Sequence, residues 1–358
     1  MPIEGTVPSE ILEGPAAIRA TVDAAESSAR AVAGLLRTQG VRRVWVIGNG
    51  TSYHSSLHAT GLARRLAGPD DPIAIPVTAG DFRTFRPRLG RGDVVVGISA
   101  SGEFRDVLGV FEEVRGTVPT VGVVHVPGSS LTRIADHVVL AAGGPSAAPV
   151  MTKTFSSTLT ATILVLGAIL GDETLAEVSA SLRLAADHAE QAVADAWPVV
   201  EALAAELADA EHIFVVGGGL AYPAALEAAL KLKEMALVHA DASETWEMAS
   251  GSATIVGPGT VVVSLAPDGP GRAATDDVVR HCREWGARVI EVAPRRAVPD
   301  SRLLALPDGV DERFAPLTVV PPVALLGYVL AGLRGATPDR PSWTGRYHSQ
   351  GLTHILGV

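Results

Sequence analysis

In the stretch ALEAALKLKEMALVHA (225–240), Glu227, Lys231 and Glu234 recur at i, i+4 and i+7, which puts all three on one face of a helix. Leu226, Leu230 and Leu237 make another face. Carboxylates flanking an amine can do acid–base work: a carboxylate takes up and returns a proton, and a cation beside it steadies charge that builds on an oxygen. The same spacing also suits a solvated charged stripe with one salt bridge. Lysine is rare in this chain. Of 29 basic residues 26 are Arg, and only Lys153, Lys231 and Lys233 are Lys. An ammonium approaches a ligand as a compact point donor, which a guanidinium does poorly.

Two turns carry a second kind of chemistry. WVIGNGTSYHSS (45–56) ends an apolar run in Gly-x-Gly and opens into Thr51, Ser52 and Ser55; VVVGISASGEFRDVL (94–108) does the same with Ser99, Ser101 and Gly102. A dinucleotide fingerprint needs a third glycine where Tyr53 stands, and an acidic residue about 20 positions on, where only Asp70 and Asp71 occur in a turn. No Gly-Lys-Ser/Thr follows, so a Walker loop is excluded as well. What remains is a glycine turn at a helix N-terminus. There, bare N–H groups, the helix dipole and hydroxyls hold an anion, or Thr51 or Ser52 merely caps the helix. Two such turns at one carboxyl edge of a parallel sheet favour the anion.

The elements that must position these residues are repeated. At an offset of 169, VWVIGNGTSYHSSLHATGLA (44–63) overlays IFVVGGGLAYPAALEAALKL (213–232), and GDVVVGIS (92–99) corresponds to GTVVVSLA (259–266). Continuous Val/Ile runs joined by Ala/Leu-rich helical segments indicate parallel strands buried on both faces. The expected fold is therefore α/β: two tandem parallel-sheet units with flanking helices. An N-terminal helical segment covers 1–30, the first unit 31–172, a helical connector 173–210, the second unit 211–335 and a tail 336–358. The second copy reads Ala266-Pro267-Asp268-Gly269 where the first has its serines, so an anion site is expected in the first copy only.

With 358 residues and a net charge of -10, the chain suits two domains and no nucleic-acid partner. Cys282 is the single cysteine and reads as a structural thiol. The start lacks a secretory pattern, and the apolar stretches near 159–170 and 318–333 read as core helices too short or too interrupted to span a bilayer. A soluble, cytoplasmic protein without membrane attachment is expected. The histidines lack paired ligand spacing, so neither metal nor cofactor is expected.

Taken together, GNGTSYHSS, SASGEFRDVL, HVPGSSLTRIADHVV (125–139), VMTKTFSSTL (150–159), YPAALEAALKLKEMALVHADA (222–242), EILEGP (10–15) and DRP (339–341) resemble the sugar isomerase (SIS) domain family. The likeness runs over nearly the whole chain. It is to the tandem-SIS isomerase half of glucosamine-6-phosphate synthase and its stand-alone phosphosugar isomerases, deglycases and deaminases. The resemblance implies flavodoxin-like three-layer units, a homodimer, and a sugar phosphate as small-molecule partner. It implies that Gly50, Thr51, Ser52, Ser99, Ala100 and Ser101, with Thr152, Lys153 and Glu247, bind that substrate. Glu234 would move a proton between C1 and C2 through an enediol or enediolamine, and Lys231 would stabilise the developing oxyanion. The glutamine-hydrolysing half has no counterpart in these residues, so ammonia transfer from glutamine is not expected of them.

The chain also departs from the family pattern. Ala100 and Phe104 replace an amide and a hydroxyl of the phosphate loop, with Arg105 as a substitute donor. No acidic residue stands between Asp136 and Asp172, where the family carries a Glu before its Thr-Lys pair. Ser250 stands in place of the ring-opening histidine, which serine cannot replace unaided. His54, His239, or His348 and His354 in the tail are the candidate acids. A phosphosugar-binding protein that senses without converting is the alternative.

Overall fold

Val and Ile runs become strands here because β-branched side chains pack well on a pleat covered from both sides. All seven residues of DVVVGIS and all five of VVVSL are buried. The computed structural model describes residues 4–295 and 302–342 and contains two five-stranded parallel sheets. The first is built from β1 (Arg43–Gly48), β2 (Ile73–Thr78), β3 (Asp93–Ser99), β4 (Thr120–Val124) and β5 (His137–Leu140), in the order β2-β1-β3-β4-β5. The second is built from β6 (His212–Gly217), β7 (His239–Glu244), β8 (Val261–Leu265), β9 (Arg288–Pro294) and β10 (Leu303–Leu306), in the order β7-β6-β8-β9-β10.

The two orders match strand for strand, so the sequence repeat is a structural one. Ile47 on β1 lies opposite Val77 on one side and Gly97 on the other. Val216 on β6 lies likewise between Ser243 and Ser264. The strand order reverses between the first and third strands of each sheet, and this opens a crevice at their carboxyl ends.

The helices are α1 (Thr6–Thr38), α2 (Thr51–Leu66), α3 (Ala79–Phe85), α4 (Arg105–Val114), α5 (Ser130–Ile134), α6 (Lys153–Leu170), α7 (Asp172–Ala196), α8 (Val200–Leu207), α9 (Tyr222–Ala236), α10 (Thr245–Ser250), α11 (Arg272–Glu284) and α12 (Ala315–Leu333). Two compact units result. The first-sheet unit takes in the described residues 16–146 and 153–183, and the second-sheet unit takes in 4–15, 147–152, 184–295 and 302–342.

In the first-sheet unit Ile47, Val95, Val107, Phe111 and Leu131 make one core; in the second, Phe214, Val216, Val262, Met248, Val279 and Cys282 do so. Cys282 is buried, which pushes its thiol pKa up, as a structural cysteine requires.

The two apolar stretches need a correction. The helical segments 153–170 and 312–333 are long and apolar enough to cross a membrane, so length does not dispose of that reading. Their burial accounts for their composition instead: 94% and 83% of the apolar windows are covered by protein. α6 packs on α2, and α12 on α9 and α8.

Candidate functional site

In the first-sheet unit only Asn49 and Gly50 separate the end of β1 from the start of α2. A Cβ on Gly48 would stand 2.6 Å from the Ser52 backbone, so glycine is what lets the helix begin so close to the strand. Gly50 adopts φ 52° and is the N-cap, with no side-chain capping bond. Thr51 and Ser52 are therefore the first residues of the helix, and the capping alternative fails. The Ser52 N–H donates within the turn, to the Asn49 carbonyl at 3.1 Å.

Thr51 and Ser52 are buried. Ser55 and Ser56 spend their hydroxyls on the carbonyls of Thr51 (3.0 Å) and Tyr53 (2.8 Å), so they serve the helix itself. His54, half-buried in the same turn, donates its N–H to the Gly50 carbonyl at 3.0 Å.

The neighbouring strand β3 ends at Ser99, which is buried and accepts the Gly102 N–H at 3.1 Å on Oγ; its own O–H is thus left to donate. Ser101 is exposed and its Oγ accepts from Glu103 N at 3.2 Å. The Ala100 carbonyl accepts the N–H groups of His125 (3.1 Å) and Val126 (3.2 Å), which pins the loop to the end of β4. Donors from Ser130 hold the Glu103 carboxyl below its ordinary range. Arg105 is exposed at the first position of α4. Lys153, first residue of α6, is buried in this unit. Ser52 and Ser99 thus stand at the carboxyl ends of adjacent strands on either side of the crevice.

The second-sheet unit holds the charged cluster. Lys231 is 1% exposed, with its ammonium 3.1 Å from Glu227 and 2.7 Å from Glu234. Glu227 is fully buried, whereas Glu234 is 27% exposed. Burial opposes the charged form of Lys231, but the two carboxylates outweigh it and hold the pKa above the ordinary lysine value. A solvated stripe is therefore excluded. α12 packs on α9, with Gly327 against Leu232 and Met235, and the Arg334 guanidinium donates to the Ala236 carbonyl at 3.2 Å at the helix end. Thr152 groups with this unit; it is buried, and its hydroxyl has no partner among the described residues.

The remaining candidates lie elsewhere. Glu247 and Ser250 are exposed on α10, after the carboxyl end of β7, whereas Glu234 is in the last turn of α9, before the amino end of β7. Six strand residues, roughly 17 Å, separate these ends. Ser250 donates its hydroxyl to the Trp246 carbonyl at 2.7 Å. His239 starts β7 at the amino edge, Nδ1 to Nδ1 at 2.6 Å from His212, away from the carboxyl edge of its sheet. His348 and His354 lie outside the described residues.

Three residues were not singled out from sequence. Asn49 bridges the crevice loops, accepting from Ala79 N (3.1 Å) and donating to Asp106 (3.4 Å). His125 is held by Ser157 Oγ (3.1 Å) and the Gly144 carbonyl (2.6 Å). Glu312 is a buried carboxylate with no sequence signature.

Doubly wound parallel units with strand order 2-1-3-4-5 and ligand-ready loops at the switch point define a class of small-molecule-binding α/β proteins. The SIS domain profile matches residues 39–168 and 206–298, and the chain belongs to the SIS domain family. It is 34% identical over 341 residues to the isomerizing glutamine–fructose-6-phosphate aminotransferase of Methanothermobacter thermautotrophicus, covering 93% of this chain and 55% of that protein. The enzyme of the same name from Thermococcus kodakarensis is 30% identical over 349 residues, with 93% and 56% covered. The chain thus spans about half the length of these relatives. Among solved structures, the C-terminal domain of glucosamine-fructose-6-phosphate aminotransferase from Francisella tularensis superposes with a TM-score of 0.86 at 24% identity, covering 95% of this chain and 99% of that one. Glucosamine-6-phosphate deaminase from Thermotoga maritima gives 0.77 at 22% identity, with 94% and 98% covered. These two likenesses concern the fold.

Proposed function

We propose that the chain is a sugar-phosphate isomerase, of the aldose–ketose or amino-sugar isomerase–deaminase kind, working by proton transfer between C1 and C2. In this reading Ser52, Ser99, Ser101 and the α2 turn receive the phosphate, with Thr152 and Lys153 as further polar contacts. Glu234 removes a proton from one carbon and returns it to its neighbour, and Lys231 stabilises the oxyanion of the enediol between these steps.

The observation that carries the reading is the buried lysine. Lys is almost never fully buried unless paired, and a chain with three lysines has buried two of them. Glu227 serves Lys231 as a counter-ion out of reach of solvent, while Glu234 keeps an accessible edge, as a proton-transfer base needs. The names of the relatives support a phosphosugar substrate. The domain limits read from sequence, a cytoplasmic location and a homodimer belong to the same proposal.

One observation favours a second reading, a phosphosugar-binding protein without turnover: Ser250 stands where the family carries its ring-opening acid. Incubation with hexose and amino-hexose phosphates in deuterated water, followed by NMR, separates the two. Deuterium entering at C1 or C2 is the result expected of the isomerase; tight binding without exchange for every sugar would establish the sensor.

A further inference from the structure

The two sheets share a topology, so the crevice between the first and third strands exists twice. In the second-sheet unit it lies between the loops that follow β6 and β8, and a side chain of the protein itself stands in it. Glu312 is 3% exposed. One carboxylate oxygen accepts the Gly271 N–H at 3.3 Å, just before α11 begins at Arg272.

Room for this carboxylate is made by Gly269 of one loop, and Gly219 of the other lies in contact with it. A Cβ on Gly269 would stand 2.4 Å from the Glu312 side chain, and one on Gly219 would lie 3.4 Å from its carboxylate oxygen. The segment carrying Glu312 is fastened down: Asp268 N donates to Val310 O at 2.9 Å, Glu312 N donates to Asp268 O at 2.8 Å, and Asp268 bridges Asp311. A buried carboxylate survives only where donors replace its lost water. The Gly271 N–H is one donor that this crevice offers to negative charge.

In the first-sheet unit the sequence between the fifth strand and the following helix has no acidic residue, nor does any position from 137 to 171. We infer that Glu312 is a built-in anion: its carboxylate fills, in the second-sheet unit, the crevice that corresponds to the α2 turn of the first. The second unit thereby takes no anionic ligand of its own. This inference concerns the protein without sugar and stands or falls independently of the isomerase reading.

Glu312→Ala tests it, followed by thermal unfolding in chloride, formate or inorganic phosphate at matched ionic strength. The substitution is expected to lower Tm by ~5 °C, and formate or phosphate to restore most of that loss while leaving the wild-type protein unmoved relative to chloride. A loss that formate and phosphate do not repair any better than chloride would overturn the inference. Should Glu312→Ala fail to fold, the isosteric Glu312→Gln decides: it keeps the shape and removes the charge, so a clear drop in Tm is expected. A Glu312→Gln protein as stable as the wild type would show that the side chain is only a filler.

Discussion

The first-sheet and second-sheet units have the same strand order and opposite furnishing. One ends β1 and β3 in glycines, serines and an uncapped helix; the other ends β6 and β8 in glycines packed around a carboxylate. One carries its hydroxyls at the carboxyl edge, whereas the other buries a Glu–Lys–Glu cluster toward the carboxyl end of its α9 helix. Duplication of a unit preserves what the core needs, and the loops and helix faces are where the copies have diverged.

Lys231→Met leaves Glu227 buried without its cation and should cost about 3–5 kcal/mol in urea unfolding. Pairing it with Glu227→Gln should recover much of that loss. A single variant as stable as the parent would show that the cluster is solvated after all.

Asp93 sharpens the contrast from the other end of the first sheet. It is buried at the amino edge, where Arg43 (2.6 and 2.7 Å), Trp45 (3.2 Å) and Gly90 N (2.7 Å) all donate to it. Burial opposes its charge, but these donors together hold its pKa below the ordinary value. Asp93→Asn should cost about 2 kcal/mol, the half-exposed Arg43 moderating the effect. Phosphosugar affinity in titration calorimetry should not move, because this cluster is structural.

Ser52→Ala and Ser99→Ala should each weaken phosphosugar binding about 10-fold, a charged hydrogen bond being worth about 1.5 kcal/mol. Ser264→Ala, at a buried serine on β8, should leave affinity unchanged. Equal losses in both sheets would erase the asymmetry.

The smallest effect is a pH dependence. Burial first, and then neighbouring His239, lower the His212 pKa from its ordinary 6.5. The unfolded chain then binds this proton more readily than the folded one, so stability falls as pH drops through 6.5 toward the lowered value. His212→Asn should flatten the stability profile over that window by roughly a few tenths of a kcal/mol, because the group is only partly buried. A profile unchanged by the substitution would remove His212 from the account.

Much of this asymmetry is legible in the residues. The Val runs and the offset repeat give both sheets, and the loss of serines after β8 separates the copies. What escapes is what depends on distant segments. Glu312 reaches its crevice from beyond β10, and no local spacing announces it. The capping alternative for Thr51 and Ser52 fails because Gly50 takes the cap position with a positive φ, which a residue-type preference does not reveal. His239 is a candidate acid by sequence, yet it opens a strand and meets His212 across the register. The charged face of α9 is clear from spacing, but the burial of Glu227 and Lys231 on it is not.

In the proposed function Glu234 is the group that moves the proton. Glu234→Gln keeps the Lys231 contact by shape but removes the base. With a phosphosugar that exchanges in the wild-type protein, deuterium entry at C1 and C2 at saturating ligand should fall about 10³-fold while the dissociation constant changes little. Exchange persisting at the wild-type rate in this variant would contradict the account.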